Sequence, residues 1–171
     1  MIMRANAPST LQHEDIARRI PHQGSMCLLE RVTAWDSRQI SCEASSHRSA
    51  SNPLRAHGRL GASCGIEYAA QAMAVHGALI AEARTIAGES SPAPPIGYLA
   101  SVRGVTLHAE NLDGLGELLT VFAECISADA NTILYNFTIH DGMTPVISGR
   151  AVVVLDAAAL ALPGRPTTPN N

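Results

Sequence analysis

One run of sequence restricts the fold more than any other. From Gly65 to Ala83 the chain reads GIEYAAQAMAVHGALIAEA, almost continuously apolar and rich in alanine. Alanine and straight-chain residues favour helix. A helix that is apolar on most sides lies inside a protein and not on its surface. Glu67, Gln71, His76 and Glu82 interrupt the run, and no run in the sequence approaches the ~18 apolar residues of a membrane span. With 171 residues the chain has room for one domain with a sizeable core. The rest of the sequence must therefore supply the cover for one central helix.

The flanking segments read as strands. Residues 26–33 (MCLLERVT) and 38–45 (RQISCEAS) are predicted strands joined around Trp35-Asp36-Ser37. After the central run come 97–109, 117–128, 131–140 and 145–155. Alternation of period two shows in Leu119-Val121-Ala123-Cys125 and in Leu134-Asn136-Thr138. Asp113-Gly114 and Asp141-Gly142 are turn dipeptides, the second a hairpin signal. A short helix is expected over Leu11–Ile20, capped by Ser9 or Thr10 and stopped by Pro21. Strands before one buried helix and four after it predict an α+β fold, an antiparallel sheet wrapped around the helix. The polar N-terminus (1–10), the Pro/Ser-rich ESSPAPP stretch (89–95) and the tail from 156 to 171 are expected to be loose, leaving 11–155 as the folded domain.

Composition excludes several functions. Twelve basic residues against fifteen acidic ones give a net charge of −3, which is no footprint for nucleic acid. All twelve are Arg, so lysine chemistry is absent. Cys27, Cys42, Cys64 and Cys125 form no C-x-x-C pair and sit beside apolar residues, as reduced buried thiols do. No three His or Cys share a metal-ligand spacing, so no metal site is expected. No G-x-S-x-G elbow supports a serine hydrolase. The N-terminus lacks the apolar core of a signal peptide, and a cytoplasmic, soluble protein is the expectation.

Four fragments in order carry a family resemblance. Ile20-Pro21-His22 running into Cys27-Leu28-Leu29-Glu30-Arg31-Val32 resembles the opening of beta-hydroxyacyl-ACP dehydratases. Gly65-Ile66-Glu67-Tyr68-Ala69-Ala70-Gln71-Ala72 resembles their central helix, Gly97-Tyr98-Leu99-Ala100-Ser101-Val102 their next strand, and Glu117–Leu155 their last strands. The resemblance covers residues 11–155. It is closest to a divergent branch of 3-hydroxyacyl-ACP dehydratases found in aryl-polyene and polyketide-like gene clusters. It implies the hot-dog fold, a homodimer with shared active sites, and an acyl carrier protein as partner. No cofactor is implied beyond the phosphopantetheine thioester that carries the substrate.

Dehydration of a 3-hydroxyacyl thioester needs a base for the proton beside the carbonyl, an acid for the departing hydroxyl and donors for the developing enolate. In the family a histidine is the base and a helix carboxylate the acid. Glu67 matches the acid. It is also the only acidic residue between Leu60 and Ile80, where burial would hold a proton on it. The family's G-H-F-P-G stretch is missing. His47 and His57, twenty and ten residues before Glu67, are both candidates for the base, and a role for neither stays open. Gly65 and Ser101 match backbone positions that face the thioester oxygen, and Gln71 matches the helix glutamine. His22 is expected to make a structural hydrogen bond. Arg48, Arg55 and Arg59 would border the substrate entrance and meet an acidic carrier. Two other readings remain beside the dehydratase: a hot-dog acyl thioesterase, and a non-catalytic acyl-ACP-binding subunit of a dehydratase.

Overall fold

The computed structural model describes residues 10–89 and 96–155. The expected loose ends and the ESSPAPP loop, Thr10 and Glu89 apart, lie outside the described residues. In chain order the elements are β1 (Leu11–Gln12), α1 (His13–Ala17), β2 (Arg31–Trp35), β3 (Gln39–Ala44), α2 (Gly65–Ile86), β4 (Tyr98–Leu107), β5 (Leu119–Ala128), β6 (Thr132–Asp141) and β7 (Thr144–Val154). Short 3-10 turns occupy Gly24–Met26, Ser46–Arg48 and Ala62–Cys64. The strands form one antiparallel sheet in the order β1-β2-β3-β5-β6-β7-β4. This is the hot-dog arrangement, a curled sheet around one long helix.

The helix seats its large side chains on the sheet. Tyr68, Ala69, Ala72, Met73, Val75 and Leu79 of α2 are buried in one core with Ile40 and Cys42 of β3, Val121 and Ala123 of β5, and Phe137 and Ile139 of β6. The abundant alanines let the helix approach closely. At Gly65 the approach is closest: a Cβ there would stand 2.9 Å from Ile147 Cγ2 and 3.1 Å from Ile139 Cδ1. On β5 the inward residues are Leu119, Val121 and Ala123, as the alternation predicts. On β6 they are Tyr135, Phe137 and Ile139, so Leu134, Asn136 and Thr138 lie on the outer face. The helix does not reach burial on most sides within one chain. Ile66, Ala70, Ala74, Gly77 and Ala78, spaced along one face, are only half-buried.

Two expectations near the N-terminus are corrected. Leu11 and Gln12 are not helical. They pair with Val32 and Arg31 of β2, and α1 begins at His13 with Gln12 as its cap. Leu11 is buried there, a contact worth more than another helical turn. Residues 26–30 do not form a strand. The N–H groups of Met26 and Cys27 bond back to the preceding turn and that of Glu30 reaches the Glu43 carbonyl, while side chains take up the remaining groups of Met26, Leu28 and Leu29. Gln71 takes the Leu28 N–H at 2.9 Å and donates to the Met26 carbonyl at 2.7 Å, Ser46 Oγ donates to the Leu28 carbonyl at 2.7 Å, and His13 Nδ1 bonds the Leu29 carbonyl at 2.7 Å.

His76, on α2, is wholly buried and bonded at both ring nitrogens. Nε2 lies 2.9 Å from the Asp36 carbonyl and Nδ1 2.9 Å from Tyr135 OH. A carbonyl only accepts, so Nε2 carries the proton and Nδ1 accepts from the tyrosine. Burial pushes the pKa of His76 below its ordinary 6.5, and burial does the same to His47. In the unfolded chain both rings take up protons near 6.5, while in the folded chain they resist until lower pH. The unfolded state therefore binds more protons in that window, and stability falls as pH drops through and below about 6.5. Urea unfolding at about pH 7.5 and about pH 5.5 should show the loss. His76→Gln should shrink the difference without removing it, because His47 contributes too. A wild-type stability flat across that window contradicts the assignment.

Candidate active site

Glu67 stands in the first turn of α2, on the face that the segment from Ile20 to Leu29 covers. Four residues on, Gln71 shares that face and is completely buried. Its amide orientation is fixed by chemistry. The Leu28 N–H can only donate, so it faces Gln71 Oε1. The Met26 carbonyl can only accept, so it faces Nε2. The second Nε2 hydrogen goes to Glu67 Oε1, at 3.0 Å. By tying Met26 and Leu28 to the helix, Gln71 also fixes the chain just upstream. There His22, held after Pro21, places its Nε2 3.0 Å from the same Glu67 oxygen. The side chains of Glu67 and His22 are 31% and 29% exposed, so the pair is at the surface end of the helix. The expectation of a buried Glu67 is corrected to that extent. His22, expected to make a structural hydrogen bond, makes it to the candidate acid. Its signal in the sequence was Ile20-Pro21-His22, but a contact across 45 positions (67 − 22) has no local signature.

Next to Glu67 on the helix, Tyr68 anchors the irregular segment after β3. Its hydroxyl lies 2.9 Å from Ser46 Oγ and accepts from Asn52 Nδ2 at 2.9 Å. Asn52 Nδ2 also donates to the Ser46 carbonyl at 3.0 Å. His47 follows Ser46 and is wholly buried, its Nε2 2.8 Å from the Gly116 carbonyl. That carbonyl requires a proton on Nε2, so in the neutral ring Nδ1 is the lone-pair atom; Nδ1 is buried without a hydrogen-bond partner among the described residues, and the Ala44 backbone is among the groups that favour the charged ring. His57 is placed differently. It sits exposed at the tip of a tight turn with Gly58, both at positive φ (52° and 75°), closed by paired Ala56–Arg59 backbone bonds of 2.9 and 3.0 Å. The structure thus brings Gln71 and His22 to Glu67; neither His47 nor His57 makes a hydrogen bond or ion pair with it among the described residues.

Gly65 is not the free donor that the helix start suggests. The preceding 3-10 turn runs into α2, and the Gly65 N–H bonds back to the Ala62 carbonyl. Its lack of a side chain serves the close approach to Ile147 and Ile139. Ser101 lies half-buried on β4, opposite Val152 in the β4–β7 ladder. Arg55 is a strut, not a docking residue. Its side chain is 16% exposed and donates to the carbonyls of Ser49 (2.7 Å), His47 (3.1 Å) and Gly58 (3.2 Å) and to Asp113 (3.4 Å). Arg48 and Arg59 remain largely exposed, each 3.8 Å from a carboxylate, Glu117 and Asp113 respectively. An open groove of about 530 Å³, lined by Glu30, Ser45, Arg48, Glu117 and Leu118, does not include Glu67. Burial pushes the Cys42 thiol up to about 12, which leaves it inert.

Gln71→Leu tests whether this one amide organises the region. It would leave the buried Leu28 N–H and Met26 carbonyl without partners, and unfolding in urea should show a loss of about 1–3 kcal/mol. An unchanged midpoint would mean that the 26–29 segment is held by other contacts.

Comparison with known proteins agrees with this architecture. The dehydratase heterocomplex ApeI:P from Xenorhabdus doucetiae is similar at 22% identity and TM-score 0.69, over 84% of this chain and 92% of that one. A thioesterase family protein from Silicibacter pomeroyi is similar at 11% identity and TM-score 0.51, over 72% and 81%. The PaaI protein of E. coli, from the phenylacetic acid degradation operon, is similar at 13% identity and TM-score 0.50, over 72% and 80%. At these identities the likeness concerns the fold. No protein of curated function matches the chain. The ApeP-like family, described as ApeP dehydratase, matches residues 14–161, most of the sequence. The chain therefore belongs to the ApeP-like dehydratase family.

Proposed function

We propose that the protein removes water from a 3-hydroxyacyl thioester carried on an acyl carrier protein, giving the trans-2-enoyl thioester. The observation that carries this reading is the Glu67 carboxyl. It is held at one oxygen by two nitrogen donors, at the open end of the largely apolar helix α2. In the reaction Glu67 protonates the C3 hydroxyl, the C3–O bond breaks and water departs. The electrons of the C2–H bond form the double bond as a base takes that proton. His47 fits the base better than His57 does. Its tautomer is set by the Gly116 carbonyl, and burial keeps the ring uncharged. Its Nδ1 is sealed in the free chain, so the 46–59 segment has to shift when substrate binds. Such contacts tighten only in the loaded complex. That seclusion also favours a second reading, a subunit that binds the acyl carrier while a catalytic partner supplies the base.

A partner belongs to either reading. Proton transfer of this kind works best in a site closed to water, and within one chain Glu67 is open. The helix face at Ile66, Ala70 and Ala74 is half-covered, and the edge strand β4 exposes Tyr98, Leu99, Val105 and Leu107. An uncovered apolar edge invites pairing. We assign this edge to a second hot-dog subunit, either another copy or a related dehydratase. Arg48 and Arg59, which project into solvent, are the groups left to meet an acidic carrier.

Purified protein assayed with a 3-hydroxyacyl-ACP and with an acyl-CoA separates the readings. Wild type should dehydrate the first. Glu67→Gln should lose about 10²–10⁴-fold, and His47→Asn should lose far more than His57→Ala. Hydrolysis of the acyl-CoA without dehydration would make it a thioesterase. Activity that appears only with an added dehydratase subunit would support the binding-subunit reading. In sedimentation the protein should run as a dimer; a stable monomer at micromolar concentration contradicts pairing with itself.

A further inference from the structure

Two groups meet Glu67, and their hydrogen inventory decides more than proximity does. Gln71 has no freedom: two of its three contacts are to backbone groups that can act in only one sense. Its remaining N–H must therefore point at Glu67 Oε1. An oxygen that already accepts there is the poorer place for an acid's proton, because a carboxyl hydroxyl is a weaker acceptor than its carbonyl partner. His22 Nε2 reaches the same atom at 3.0 Å. With Oε1 acting as acceptor, the imidazole must arrive as a donor, so Nε2 bears hydrogen. The other ring nitrogen, Nδ1, is buried and has no hydrogen-bond partner among the described residues. The ring is thus aimed through its single bond to Glu67. The lone-pair atom that would make His22 a base faces away from the carboxylate and from solvent.

We propose that His22 and Gln71 are positioning residues that clamp Glu67 at Oε1, so that every proton Glu67 exchanges with substrate passes through Oε2. The proposal deepens the dehydratase reading and rests on it for its kinetic arm alone. His22 acts as a fixed donor, not as the missing base. In the elimination the proton leaves Oε2 for the C3 hydroxyl, C3–O breaks to release water, and the C2 proton goes to the base. Both clamp bonds stay in place and strengthen as Glu67 becomes anionic, since donors to a charged acceptor bind it more tightly. The arrangement also explains why Gln71 follows Glu67 at four residues. That spacing lets one amide grip both the acid and the loop that delivers His22.

Two substitutions separate a clamp from a base. The Gln side chain can set its Nε2–H where the imidazole Nε2–H was, but it cannot take up a proton. His22→Ala should lower kcat by about 10- to 100-fold, the effect of a lost hydrogen bond to a charged group, with KM changed less than about three-fold. His22→Gln should restore kcat to within about five-fold of wild type. If His22→Gln is as impaired as His22→Ala, His22 is a base and the proposal falls. The second arm needs no activity. Long-range 1H–15N spectra of the labelled full-length protein, at a pH where the ring is uncharged, should show His22 protonated at Nε2 and bare at Nδ1. Glu67→Ala should release that bias toward a mixture. A bare Nε2 in wild type overturns the clamp. If wild type dehydrates nothing, the functional reading fails, and the tautomer still decides the clamp.

Discussion

A single buried amide connects most of what distinguishes this molecule. Gln71 gives one hydrogen to the Met26 carbonyl and one to Glu67, and it accepts from the Leu28 N–H. The amide is inside the protein, where an unmet polar group costs far more than a made bond contributes, so all three partners constrain each other. The segment leading to β2 cannot detach from the helix without stranding backbone groups. Nor can the Glu67 carboxyl turn away without leaving an N–H behind. Fold and candidate chemistry are coupled through that one residue.

The second constraint is cover. The sheet shields one side of α2 and leaves Ile66, Ala70 and Ala74 half-open, while the sheet ends in β4, whose Tyr98, Leu99, Val105 and Leu107 face solvent. The sheet covers one side of the helix, and the half-buried face needs another surface to be closed. The same surface would close Glu67 off from water. Under the proposed function, one covering surface would complete both the helix packing and the site.

How much of this the sequence discloses depends on the range of the interaction. The Ala-rich run is a local signal, and α2 begins at Gly65 as read, ending three residues beyond Ala83 at Ile86. The Asp141-Gly142 turn likewise joins β6 to β7, with Gly142 at φ 57°. Expectations failed where a side chain distant in sequence took over a backbone group. Met26–Glu30 has strand composition, yet Gln71, Ser46 and His13 take the backbone groups of Leu28 and Leu29 that a ladder would use, so no strand forms there. Leu11 left its helix for a place in the core beside β2. At the site, Glu67 stood out because no other acid shares its stretch. His22 did not, because its partner lies a whole hairpin and loop away. Arg55 looked like a solvent-facing charge among serines, and only the folded chain supplies the carbonyls and the Asp113 carboxylate that enclose it.

Glu67 is where the proposed chemistry happens. The most direct measurement is a crystal structure of the full-length protein, in its native assembly, with a 3-hydroxyacyl pantetheine whose thioester is replaced by an unreactive amide. The C3 hydroxyl should lie within hydrogen-bonding distance of Glu67 Oε2, with Gln71 and His22 still on Oε1. A ligand seated in the open groove between Glu30, Arg48 and Glu117, with Glu67 untouched, would contradict it.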